Sequence, residues 1–129
     1  MLVIQTVVAF NHLLYVIPYK YNMIIIRNNI IPFRGFKAIN ILGILFARKE
    51  ANITARTINH ERIHTWQIYE TLLLFYPIYI IEWFIRLFIN RGYAYKNISF
   101  EREAYANDSN IDYVKNRKLY SWVKYFKNN

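Results

Sequence analysis

Between positions 54 and 90 the chain has no glycine, and Pro77 is its only helix breaker. With Gly 3 and Pro 3 in all 129 residues, few positions suit tight turns, which favours long helices over a many-stranded sandwich or barrel. Thr54 or Thr57 can cap the start. The pattern predicts a helix from about 54 to 76, a kink or break near Pro77, and a second helix to about 90. Gly92 sits there at the usual capping position.

The first helix carries His60-Glu61-Arg62-Ile63-His64. Histidines four apart share a helix face, so both imidazoles can converge on one Zn²⁺ ion, and Glu61 can reach a zinc-bound water as general base. The bland alternative is two incidental histidines. Against it, two of the chain's three histidines fall in the motif. The third, His12, stands alone among apolar residues and reads as a hydrogen-bonded core position. A catalytic zinc needs one more protein ligand and an open position.

Residues 71–89 read TLLLFYPIYIIEWFIRLFI, nearly long enough to cross a bilayer, with Glu82 and Arg86 as the only charges. They have the spacing of a helical ion pair, while Trp83, Tyr76 and Tyr79 suit a membrane interface. A core helix of a soluble domain and a membrane-bound helix are both compatible with this run. The net charge of +9 favours the second. Its Lys and Arg are scattered, with no phosphate loop, zinc-finger spacing or aromatic RNA-binding signature, so a membrane is the expected partner and nucleic acid is not. Residues 1–18 lack the basic start and cleavage site of a secretory signal; an uncleaved inserted segment, a buried strand and a buried helix all fit. Without cysteine, disulfides, thiolate zinc sites and a cysteine nucleophile are excluded.

The length suits one domain over 1–129 with a single core. Two isoleucine-rich runs, 23–31 and 39–47, flank Pro32-Phe33-Arg34-Gly35 and suggest a β-hairpin. An exposed edge there could hold a peptide extended. The tail 111–129 has the pattern of a basic amphipathic helix, either packed or lying on a membrane. The expected class is α+β: a small N-terminal hairpin beside a mainly helical body.

A further helix capped by Ser99 would present Glu101 and Glu103 in its first turns. They lie about 200° apart around the axis, so only one can face a given ion. His60-Glu61-x-x-His64 followed by a helix bearing Glu101-x-x-Ala104 resembles the gluzincin peptidases, especially the integral-membrane prenyl-protein and heat-shock protease type. The wider His-Glu-x-x-His-x-x-Gln with Glu-x-Glu-Ala is similar to small bacterial metallopeptidase domains. The blocks NHERIH, FYPIYIIEW and ISFEREAYAN together resemble a group of small Bacteroidetes proteins. The resemblance implies a zincin-like domain at the bacterial inner membrane that hydrolyses a peptide or protein substrate. It implies Zn²⁺ held by His60, His64 and Glu101, with Glu61 as general base and Glu103 as the fallback ligand. Tyr105 stands where the membrane proteases have aspartate, four residues after Glu101, and can hydrogen-bond a ligand. Gln67 returns to the metal face, where it can orient a histidine or a substrate carbonyl, or simply be polar. The competing class is a non-catalytic membrane-associated protein whose metal only ties two helices together.

Overall fold

The computed structural model describes residues 23–127; the apolar segment 1–18, with His12, lies outside them. Three strands come first: β1 (Ile24–Asn28), β2 (Ala38–Ile41) and β3 (Ile44–Arg48). The helices α1 (Ala55–Glu70), α2 (Phe75–Asn90), α3 (Ser99–Asn107) and α4 (Tyr113–Asn116) follow, with 3₁₀ turns at Arg91–Tyr93, Tyr95–Asn97 and Ser121–Tyr125. The class is α+β, as expected.

The sheet has the order β1-β3-β2. A hairpin is present, but it lies inside the second isoleucine-rich run. β2 and β3 pair antiparallel around Leu42 and Gly43, whose φ of 53° and 87° are the pair of positive values that a two-residue hairpin turn requires. The first run supplies β1, which pairs parallel to β3, so Pro32-Phe33-Arg34-Gly35 sits in a crossover loop. Arg27 fixes β1 there, donating to the carbonyl of Ala51 at 2.8 Å just past the end of β3. Gly43 is also where the sheet meets α1. A Cβ on it would come within 2.8 Å of the Tyr69 hydroxyl, which donates to the Leu42 carbonyl.

Thr54 caps α1 by accepting from the Thr57 amide. The helix stops at Glu70, earlier than the proline suggests: the Leu72 amide donates to the Tyr69 carbonyl and the Leu73 amide to the Ile68 carbonyl, the tightened and overreaching bonds of a helix C-terminus. Leu72 and Leu73 then take left-handed φ values of 49° and 72°, and α2 departs at 111° to α1. Pro77 falls in the first turn of α2, where a missing N–H costs nothing. At the far end Arg91, not Gly92, takes the positive φ of 45°. Ser99 does not cap α3. Its amide and hydroxyl donate to Glu82 at 2.8 and 2.6 Å.

That contact orients α2. Glu82 and Arg86 are buried and paired at 3.1 Å, and Arg86 also donates to the Phe126 carbonyl. Much of the remaining surface of α2, with Ile81, Phe84, Ile85, Phe88 and Ile89, is exposed. Among the described residues no single helix is long and apolar enough to cross a membrane. The 16 residues of α2 span about 24 Å, against roughly 30 Å of hydrocarbon.

The core joins Ile68 of α1, Phe75 of α2, and Ile98 and Phe100 at α3, with Trp122 packed against them. A smaller cluster joins Ile63, Ala104 and Val114. The tail is not one helix. After α4 the chain extends at Arg117 (ψ 132°) and turns left-handed at Tyr120, because the Arg117 side chain is drawn into a buried pair with Glu70 and Glu103.

Candidate metal centre

His60 and His64 project from one face of α1 and meet Glu101 from the first turn of α3, all three buried. The Nε2 atoms of the two histidines lie 3.1 Å apart. Glu101 Oε2 is 3.2 Å from His60 Nε2, and Glu101 Oε1 is 3.3 Å from His64 Nε2. Tetrahedral zinc with bonds of about 2.0–2.1 Å sets its ligand atoms about 3.3 Å apart. The two imidazole nitrogens have about that spacing, and each faces its own oxygen of the Glu101 carboxylate at the same range, so the three side chains can share one ion.

The surrounding hydrogen bonds fix where the protons are. Gln67 is fully buried, and its Nε2 donates to the Phe100 carbonyl and to Glu103. Its oxygen faces His64 Nδ1 at 2.7 Å, so that nitrogen must be the donor and Nε2 keeps a lone pair. His60 Nδ1 faces Asp108 Oδ2 at 3.5 Å. Asp108 is itself held by Arg56 Nε at 2.8 Å and, through its carbonyl, by Asn59. With His64 Nδ1 committed to Gln67 and His60 Nδ1 nearest Asp108, the two Nε2 atoms and a carboxylate converge. Only a cation relieves such a cluster, and neutral histidine with a carboxylate is a donor set that zinc accepts.

Without a metal, that cation is a proton. Burial pulls the His64 pKa down, but the Glu101 carboxylate outweighs it and lifts the group to about 9. Burial likewise pushes Glu101 up, and the neighbouring histidines overcome it, holding the carboxyl below the ordinary carboxylate range. Tyr79 donates to Glu101 Oε1 at 2.8 Å and fixes its rotamer.

Glu61 lies beside His60, partly open to a groove of about 330 Å³ whose floor holds Glu61, His64 and Glu101. Burial raises its carboxyl above the usual value against the pull of His64 and His60. Asn40 of β2 donates to the Glu61 carbonyl at 2.8 Å and to the Thr65 hydroxyl at 3.0 Å, which seats the strand beside the motif. The remaining walls are mostly apolar, including Ile30, Phe33, Phe36, Phe75 and Ile80.

Of the residues singled out from sequence, His60, His64, Glu101 and Glu61 come together, and Gln67 holds His64. Glu103 is turned away, accepting from Tyr113 at 2.8 Å and pairing with Arg117 at 2.5 Å. Tyr105 packs its ring edge-on to His60, with centroids 4.6 Å apart. The group nearest the other ring nitrogen of His60 is Asp108, whose Oδ2 lies 3.5 Å from Nδ1. That residue was missed, although it lies seven after Glu101, two turns along the same helix face. Asn40 and Tyr79 carried no comparable signal. Comparison with protein-family models, with curated proteins and with solved structures finds no match to this chain.

Proposed function

We propose that the chain is a membrane-associated, zinc-dependent metallopeptidase of gluzincin type. The observation that supports it is the buried convergence of His60, His64 and Glu101, with nitrogen–nitrogen and nitrogen–oxygen separations of 3.1–3.3 Å, beside a groove lined by Glu61, His64 and Glu101. Zinc, when bound there, would supply a polarised scissile carbonyl and an acidified water. His60, His64 and Glu101 would hold it, with Gln67 and Asp108 keeping the two rings turned. Glu61 takes the proton of the attacking water and delivers it to the leaving amine. β2 is an edge strand, and Ala38, Ile39 and Asn40 line the groove, so an extended peptide can lie along it. Among the described residues the group offers three ligands, whereas a purely structural zinc site closes all four positions. Membrane association is supported by α2, which turns its two charges inward and Ile80, Ile81, Phe84, Ile85, Phe88 and Ile89 outward.

The test is zinc content and proteolysis of the protein purified in detergent. Glu61→Gln is expected to keep stoichiometric zinc and lose about 10²- to 10⁴-fold in activity. Glu101→Ala loses both zinc and activity. A Glu61→Gln protein with full activity, or a wild type without zinc, would overturn the assignment.

A further inference from the structure

The groove beside Glu61 and the exposed face of α2 are parts of one surface. Ile80 belongs to both: it lines the groove, and with Phe84 and Phe88 it forms a stripe on successive turns. On the other side of the groove stand Ile30, Phe33 and Phe36, which are 77%, 81% and 65% exposed. Residues this apolar at a groove mouth would ordinarily be covered.

Charge decides between the available covers. Exposed Arg34 and Lys37 flank Phe33 and Phe36, and exposed Arg91 ends α2. A second copy would bring the same cations, in a chain of net charge +9, against themselves. An anionic bilayer meets them with opposite charge and accepts the apolar side chains without specific geometry. Tyr93, 74% exposed two residues after Arg91, suits the headgroup level.

We propose that this surface seats in one leaflet of an anionic bilayer, so that the groove opens into lipid and takes an apolar side chain of a membrane-bound peptide. The substrate class rests on the metallopeptidase reading; the seating does not.

The absence of cysteine lets single labels test it. Phe33→Cys, Ile80→Cys, Phe88→Cys and, as a reference, Asn116→Cys each carry an environment-sensitive fluorophore. A far-ultraviolet circular-dichroism spectrum and a thermal unfolding midpoint equal to wild type establish that each variant is folded. With phosphatidylcholine–phosphatidylglycerol vesicles, labels at 33, 80 and 88 should shift to the blue and be quenched by brominated acyl chains, and the label at 116 should not. Binding should weaken about tenfold or more on pure phosphatidylcholine. Labels at 33 and 80 that stay in water while 88 is quenched would overturn the lipid-facing mouth. Protection of all three without bromolipid quenching would show a second copy as the cover and overturn the seating.

The route is tested with one peptide sequence, free or carrying an acyl anchor, on the same vesicles. The anchored form should be cut about tenfold faster or more, since confinement to one surface raises its effective concentration. Equal rates overturn loading from lipid. No cleavage of either, with the labels quenched, overturns the metallopeptidase reading and leaves the seating standing.

Discussion

The side-chain oxygen of Gln67 accepts from His64 Nδ1 at 2.7 Å, and the same amide's nitrogen is committed elsewhere. One buried glutamine therefore decides which nitrogen of His64 faces the metal. Gln67→Leu removes that constraint at nearly constant volume and should weaken zinc binding about 10- to 100-fold, read by competition with a chelator. Gln67→Glu keeps an acceptor for Nδ1 but sets its second oxygen against the Phe100 carbonyl and the Glu103 carboxylate, so it should lose affinity and stability as well.

Asp108 and Tyr105 both touch His60, in different ways. Asp108→Ala should lower zinc affinity about 10- to 100-fold, while Tyr105→Phe, which keeps the ring packed on His60, should change it little. Equal losses in the two variants would return the orienting role to the tyrosine.

Arg117 reaches Glu70 with two nitrogens, at 2.9 and 2.7 Å, and pairs with Glu103, all three side chains being almost fully buried. Arg117→Met would leave two carboxylates buried without their cation and should cost about 3–5 kcal/mol of stability in denaturant unfolding. Glu103 also receives Gln67, so the variant should bind zinc more weakly as well. Arg117→Lys keeps the charge but not the planar fork and should fall between the two.

The metal-free protein should have a distinctive pH response. His64 has its pKa raised from 6.5 to about 9, so its attraction to Glu101 is fully present below pH 6.5 and fades as the pH rises through about 9. Glu101 has its pKa lowered from 4.5, so its contribution is present above pH 4.5 and is lost in acid. Thermal unfolding of the metal-free protein should thus peak in mildly acidic buffer. Zinc added at pH 7.5 must displace the His64 proton, and an indicator dye should record about one proton released per ion.

How much of this was legible differs from residue to residue. The histidine pair is local, four apart on one helix, and the sequence alone implies its convergence. The choice between Glu101 and Glu103 was narrowed by helix geometry to one or the other, but the decision lies in partners far along the chain. Arg117 draws Glu103 away from 14 positions downstream. The same arginine explains why the tail's amphipathic pattern does not become a helix, since a buried ion pair outweighs a weak local preference. Gly43 marked the true hairpin within an apolar run, a weaker sign than the proline and glycine of the 32–35 loop. The inward turn of Glu82 could be suspected from its spacing with Arg86. Its partner Ser99 could not, because that contact depends on how α3 packs against α2.

The elbow at Leu72 and Leu73 explains how so short a chain encloses a groove at all. Drawn as one straight rod, residues 55–90 would reach about 54 Å and present histidines at one end and phenylalanines at the other, with nothing between them. Bent by 111°, the same residues become two adjoining walls, and Phe75 at the start of the second comes to rest against the ring of His64 in the first, 5.8 Å between centroids. The small sheet closes the third side. Larger enzymes obtain such a concavity by setting one domain against another; here two leucines in an uncommon backbone conformation trade reach for enclosure.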